Sequence, residues 1–91
     1  MEKLHSVFIR FPGVEEVVLY GSRAKGNCQN GSDIDITMKG EHLDGDMSSK
    51  ILLALDDLLL PYMIDLSIFR QIDNLDLINH INRVGQLLYK K

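Results

Sequence analysis

Residues 14–38 read VEEVVLYGSRAKGNCQNGSDIDITM, and this stretch decides the fold. It opens with a β-branched and aromatic run over residues 14–20, which predicts a strand. A small and polar connection follows from Gly21 to Gly31, and we expect it to form a loop or a single helical turn. Residues 33–38 then alternate polar and apolar side chains with the two-residue period of a strand. Two strands joined by a polar connection are therefore predicted.

Upstream of this stretch, residues 2–11 carry apolar side chains at helical spacing. Downstream, Asp46 or Ser48 is predicted to cap a second helix that runs to about Leu60. Pro61 follows and would stop that helix, because proline cannot continue the hydrogen-bond ladder.

The last third of the chain predicts one more strand and one more helix. Residues 62–69 are apolar enough for a strand, a helix begins near Asn74 and ends at Gly85, and residues 86–89 are expected to form a short extended tail. The whole order predicts a single α/β (α+β) domain over residues 1–91, in which helices pack on a small mixed sheet.

Charge and hydropathy exclude several classes of function. The chain has 13 acidic and 10 basic side chains, so its net charge of −3 argues against binding to a nucleic-acid polymer. The longest unbroken apolar run, residues 51–55, is far shorter than the roughly 20 residues that span a membrane. The first residues lead into no apolar signal region, and a cytoplasmic location with no membrane partner is expected.

Asp33 and Asp35 are candidate metal ligands. Residues two apart on a strand point to the same face, so both carboxylates are expected to project together. Two such carboxylates repel unless a cation lies between them, and Mg²⁺ prefers one or two carboxylates together with phosphate oxygens and waters. The alternative is an ordinary polar strand face in contact with water.

Asp65 interrupts an otherwise apolar predicted strand, where aspartate is disfavoured unless it is solvated, paired or bound to metal. If the strands over residues 33–38 and 62–69 are neighbours, Asp65 joins the other two carboxylates. Three carboxylates can hold two divalent ions, one for nucleotide phosphates and one for the attacking hydroxyl. The alternative is an ion pair with Arg70 or Arg83.

The step Gly21-Ser22 directly follows the first predicted strand. A glycine there lets backbone amides approach a phosphate closely, and the serine hydroxyl adds a hydrogen-bond donor. Arg23 and Lys25 add positive charge for a triphosphate. The alternative is that the Gly-Ser step is only a turn.

Together these residues resemble the signature of the polymerase-β-like nucleotidyltransferase superfamily. The resemblance rests on Gly21-Ser22-Arg23-Ala24-Lys25-Gly26, on the spacer over residues 27–31, and on Ser32-Asp33-Ile34-Asp35. Asp65 matches the position of the superfamily's third carboxylate. By its length the chain is similar to the minimal nucleotidyltransferases, which are often encoded beside a helical HEPN protein and act as antitoxins of that toxin.

The resemblance implies a role for each site residue. Three carboxylates, Asp33, Asp35 and Asp65, would be the catalytic residues and would bind one or two Mg²⁺ ions, for which Mn²⁺ can substitute. ATP or another nucleoside triphosphate would be the substrate. The nucleotide-binding residues would be Gly21, Ser22, Arg23, Lys25 and Ser32.

The function that the resemblance implies is transfer of a nucleoside monophosphate, AMP from ATP, to a hydroxyl of a HEPN-type partner in a hetero-oligomer. The partner is expected to supply the acceptor, because only 26 residues follow Asp65 and they are too few to enclose a substrate. The leucine-rich helix over residues 51–60 either docks this partner or fills the core. Two alternative functions are a catalytically idle nucleotide-binding module that neutralises the partner by contact, and a subunit of a small-molecule (antibiotic) nucleotidyltransferase.

Overall fold

A computed structural model of the chain describes residues 2–22, 32–59 and 62–91, without the side chains of residues 2, 22, 32, 33 and 62. Helices and strands follow one another as α1 Glu2–Phe8, β1 Glu16–Ser22, β2 Ser32–Lys39, α2 Gly45–Asp56, β3 Tyr62–Ile68, α3 Leu75–Val84 and β4 Gln86–Lys90. A single 3₁₀ turn, Phe69–Gln71, separates β3 from α3. The predicted mixed α+β architecture is confirmed.

The four strands form one mixed sheet in the order β3-β2-β1-β4. β1 is antiparallel to both of its neighbours, whereas β2 and β3 are parallel and are connected through α2. The condition stated for Asp65, that the second and third predicted strands are neighbours, is therefore met. This pairing brings the segment around Asp35 beside the segment around Asp65.

The main core lies between one face of the sheet and the helices α1 and α2. Ile34 and Ile36 on β2, Phe8 on α1, and Ile51 and Leu55 on α2 are all buried in it. We call the sheet face that carries Ile34 and Ile36 the core face. Since strand residues alternate between faces, Asp35 and its alternating neighbours lie on the opposite face.

Helix α3 covers part of that opposite face, where it packs against β1. Ile81 of α3 and Val18 of β1 are buried there, outside the main core cluster. Asn74 caps the helix, because its side chain accepts a hydrogen bond from the backbone amide of Leu77 at 3.2 Å, as predicted for a helix that begins near this residue. We call this side of the sheet the α3 face.

Helix α2 differs from its prediction at both ends. Its cap is Asp44, which accepts from the amide of Met47 at 2.9 Å, and neither Asp46 nor Ser48 has that role. The helix ends at Asp56 and does not reach Leu60, because the chain turns and Leu59 adopts a left-handed φ of 52°. A left-handed residue cannot continue a right-handed helix.

Three further boundaries differ from the prediction. The first helix is shorter, since α1 ends at Phe8 before Pro12 is reached. β1 extends through Ser22, so the Gly-Ser step belongs to the strand and the polar connection begins after it. The expected tail over residues 86–89 is a strand of the sheet, β4, paired with β1. Within the three described ranges no helix is long and apolar enough to span a membrane.

Candidate active site at the β1–β2–β3 edge

Two carboxylates lie side by side on the α3 face. Asp35 of β2 and Asp65 of β3 are direct partners in the parallel register. Both project away from the core face, because Ile34, Ile36, Ile64 and Leu66 on either side of them pack into the main core. Adjacent strands are about 4.8 Å apart, so the two side chains can reach a common ligand.

The same two strands are tied together two residues beyond the carboxylates, at Thr37 and Ser67. Thr37 of β2 is fully buried and its hydroxyl donates to the carbonyl of Ser67 on β3 at 3.4 Å. The Ser67 hydroxyl donates in return to the carbonyl of Ile36 at 3.3 Å. Two reciprocal hydrogen bonds between side chains and backbone therefore hold β2 and β3 in the register that pairs Asp35 with Asp65.

Gly21 lies against one of these carboxylates. The register of β1 with β2 shifts between Leu19 and Gly21, so Gly21, and not Tyr20, is opposite Asp35. A Cβ atom at position 21 would be 2.5 Å from Asp35 Oδ2, so any residue other than glycine would require the Asp35 side chain to move. The backbone of β1 consequently approaches Asp35 closely, and only glycine permits this approach without displacing the carboxylate.

The Tyr20 phenol belongs to the same site, although no sequence pattern assigned it a function. Burial raises its pKa above the ordinary value of 10.0, the charges of Asp35 and Asp65 raise it further, and a hydrogen bond with Ser67 lowers it in part. The phenol therefore keeps its proton at neutral pH and remains a hydrogen-bond donor beside two anionic side chains.

His80 of α3 contacts Tyr20 from the helix side. Its Nε2 atom is 3.2 Å from the carbonyl oxygen of Tyr20, and the two rings meet edge to face with centroids 6.5 Å apart. Because a carbonyl can only accept, Nε2 must carry the proton in this hydrogen bond. His80 has no ligand-like spacing in the sequence, so its contribution depends on the packing of α3 against β1 and no sequence signal could have found it.

The predicted site residues are described to different extents. Gly21, Asp35 and Asp65 come together as stated above. Ser22, Ser32 and Asp33 lie on strands whose backbone is described, and their side chains are outside the described part of the structure. Arg23 and Lys25 lie outside the described residues.

Neither arginine forms the predicted alternative ion pair with Asp65 in the described part of the chain. Arg70 donates instead to the backbone carbonyls of Glu41 and Leu43. Arg83 lies in the last turn of α3 and its side chain is exposed. Asp65 is itself exposed to solvent. Its carboxylate is therefore accessible for a ligand.

The carboxylate oxygens are suitable donors for a hard divalent cation. Among the described side chains, which do not include that of Asp33, no cluster of three or more metal-binding groups is found. The described pair, Asp35 and Asp65, nonetheless supplies the one or two carboxylates that Mg²⁺ takes when a substrate phosphate provides further oxygens. The residues present fit such an ion.

The site thus combines a mixed sheet, two paired carboxylates on parallel strands and a glycine at the end of the neighbouring strand. The family model described as "Polymerase beta, Nucleotidyltransferase" matches residues 2–91. The chain belongs to this family. No curated protein sequence matches it significantly.

Three crystal structures of toxin–antitoxin complexes have a similar fold. A complex with AMP-PNP is 23% identical, with a TM-score of 0.76, and the match covers 99% of this chain and 73% of that one. A mutant of MntA–HpeT is 21% identical with a TM-score of 0.75, covering 99% and 72%. The MntA–HepT complex is 20% identical with a TM-score of 0.66, covering 100% and 74%. These likenesses show the fold.

Proposed function

We propose that this chain is a divalent-metal-dependent nucleotidyltransferase that transfers AMP from ATP to a hydroxyl group of a partner protein. The observation that carries the proposal is the register pairing of Asp35 with Asp65, with the Gly21 backbone against Asp35. Carboxylates and a closely approaching backbone are the two features that a metal–triphosphate complex requires, because the ion needs oxygen ligands and the phosphates need amide donors.

Each candidate site residue has a part in the proposed reaction. Asp33, Asp35 and Asp65 would hold the cation, and the backbone at Gly21-Ser22 would bind the phosphates, with Arg23, Lys25 and Ser32 contributing to the nucleotide site. A bound divalent ion would neutralise phosphate charge and make the acceptor hydroxyl easier to deprotonate.

The proposed chemistry is an in-line displacement at the α-phosphorus. The acceptor oxygen forms a bond to this phosphorus, the α–β phosphoanhydride bond breaks, and pyrophosphate leaves. The proton of the acceptor hydroxyl passes to Asp65, which is exposed and therefore accessible to a second molecule. Placement of the hydroxyl in line with the leaving group supplies much of the rate.

The partner is proposed to be a toxin of the HEPN type encoded beside this chain, with this chain as its antitoxin. The structures with a similar fold support the proposal, since all three are toxin–antitoxin complexes and one contains the ATP analogue AMP-PNP. The mutant complex carries two aspartate-to-glutamate substitutions two positions apart, which is the spacing of Asp33 and Asp35.

Label transfer tests the proposal. The chain is purified with the product of its neighbouring gene and incubated with Mg²⁺ and ATP labelled at either the α- or the γ-phosphate. We expect label on the partner from the α-position alone, lost in Asp35→Asn and retained in Asp73→Asn, a matched control in an exposed connection. Label from neither position despite a stable complex would favour an idle binding module. Label on an aminoglycoside-like small molecule would favour an antibiotic-modifying subunit.

A further inference from the structure

The end of β1 departs from regular pairing at one residue, Tyr20. In the ladder with β2, Leu19 is opposite Ile36 and Gly21 is opposite Asp35, so Tyr20 is the inserted residue. The ladder with β4 has already ended at Leu19. Among the described strand residues Tyr20 therefore has no partner in either neighbouring strand. An inserted residue of this kind disrupts the ladder locally and changes the direction in which the neighbouring side chains point.

The insertion has a direct effect on the candidate site. Without it, regular pairing would put Tyr20 opposite Asp35 and Gly21 one position further along, opposite Ile34. With it, Gly21 takes that place and Tyr20 turns its phenol toward Ser67, Asp35 and Asp65. The position of the Gly21 backbone relative to Asp35 thus depends on the irregular conformation at Tyr20.

One side chain of α3 contacts that conformation from outside the sheet. The carbonyl of Tyr20 accepts a hydrogen bond from His80 Nε2 at 3.2 Å, and the His80 ring packs against the Tyr20 ring. Tyr20 lies beyond Leu19, the last residue of β1 that pairs with β4, and His80 supplies a donor to its carbonyl across 60 residues of sequence. His80 is exposed and its neighbour Ile81 makes the buried contact of α3, so the fold does not depend on the His80 ring.

We infer that His80 and Tyr20 are positioning residues of the nucleotide site, with His80 holding the end of β1 so that the Gly21 backbone lies against Asp35. The expected effect on KM rests on the proposed function, because it assumes that the Gly21 backbone binds the nucleotide phosphates. The inferred effect of His80 on the position of the Gly21 backbone does not depend on whether the chain transfers nucleotide. His80 acts through Tyr20 and touches no reacting atom.

Three variants separate the hydrogen bond from the ring contact and from general effects on α3. His80→Phe keeps an aromatic ring but removes the donor. His80→Gln restores a donor, because its amide nitrogen reaches about as far as Nε2. Asn79→Ala is the matched control, since Asn79 is the exposed neighbour of His80 on the same helix. The midpoint of thermal unfolding is measured for each and is expected to stay close to that of the wild type.

For each variant, the KM for Mg–ATP and the kcat are measured in the label-transfer reaction, and their changes are compared. Loss of one hydrogen bond corresponds to about a five- to tenfold effect. We expect His80→Phe to raise KM by that factor with little change in kcat, and His80→Gln and Asn79→Ala to behave like the wild type. An unchanged KM in His80→Phe would overturn the inference.

NMR tests the structural part without nucleotide. Long-range ¹H–¹⁵N spectra of the wild type should show Nε2 of His80 protonated, and the amide resonance of Gly21 should move in His80→Phe but not in His80→Gln or Asn79→Ala. If Nε2 carries no proton, or Gly21 does not respond, the inference fails. If Gly21 responds as expected while the wild type transfers no label, the proposed function fails and the positioning role of His80 stands.

Discussion

Asp35 and Asp65 are residue-for-residue partners on parallel strands, and both face away from the core. Their pairing puts two anionic groups at adjacent positions on one face of the sheet. Like charges in this relationship destabilise a sheet unless a cation or a proton compensates for them. The geometry therefore couples the stability of the β2–β3 pair to whatever binds there.

Magnesium is expected to stabilise the wild type through this pair. In Asp65→Asn one of the two charges is removed, so without Mg²⁺ the variant should be as stable as the wild type or more stable by up to about 1 kcal/mol. With Mg²⁺ and ATP, the thermal midpoint should rise in the wild type and much less in the variant. Thermal unfolding with EDTA, and with Mg²⁺ and ATP, measures both effects. Equal gains in wild type, Asp65→Asn and Asp73→Asn would exclude this metal site.

Transfer activity is expected to depend on Asp35 more steeply than on any other described residue. Asp35→Asn removes charge from the proposed metal site with almost no change in volume, and we expect the rate of label transfer to fall by at least about 100-fold. Circular dichroism should show a retained fold. A variant with normal turnover would remove Asp35 from the proposed mechanism.

A methyl group at position 21 is expected to damage both stability and nucleotide binding. In Gly21→Ala the new Cβ would collide with the Asp35 carboxylate, and overpacking of this kind costs about 1–3 kcal/mol of unfolding free energy. Chemical denaturation of Gly21→Ala, of Asp35→Ala and of the double variant measures the coupling between the two positions.

Gly45→Ala serves as the control for this series. A Cβ there meets nothing within 4 Å, and alanine is more favourable than glycine in a helix such as α2. The variant should therefore be as stable as the wild type or slightly more stable. If Gly21→Ala were equally neutral, the backbone at Gly21 would not lie against Asp35 as described.

Alkaline pH is expected to destabilise the wild type through Tyr20. Its folded-state pKa is raised above 10.0, so the folded chain retains a proton that the unfolded chain releases. The unfolding free energy must therefore fall as pH rises from about 10 toward the folded-state pKa, and the Tyr20 contribution is fully present below that range. In Tyr20→Phe this part of the decline should be absent. Urea denaturation of both proteins over this pH range makes the comparison, and parallel curves would contradict it.

The leucine-rich helix divides into two kinds of position. Leu55 is buried, so Leu55→Ala should cost about 2–5 kcal/mol of unfolding free energy. Leu53 is 65% exposed, so Leu53→Gln should change stability by less than about 0.5 kcal/mol. Urea denaturation tests both. Weaker partner binding by Leu53→Gln, measured by calorimetry, would assign the exposed leucines to an interface.

The elements with a regular pattern could be predicted from the sequence. Alternation over residues 33–38 predicts β2, and the apolar run over residues 62–69 predicts β3. The sequence predicts only a tail over residues 86–89, because the five-residue edge strand β4 carries too little pattern and its partner, β1, lies far away in the chain. The α2 cap was also predicted wrongly, since Asp44, Asp46 and Ser48 are all good caps by type and only the backbone decides among them.

The sequence by itself determined the family, the order of most elements, and the projection of alternate residues from β2 to one face, because these follow from local spacing and from the identity of a few side chains. Only the tertiary structure decided that Asp65 is the partner of Asp35, that Gly21 lies against that carboxylate, and that His80 contacts Tyr20. The reason is physical: strand register and the packing of α3 on β1 arise from contacts between segments distant in the chain, which no local pattern encodes.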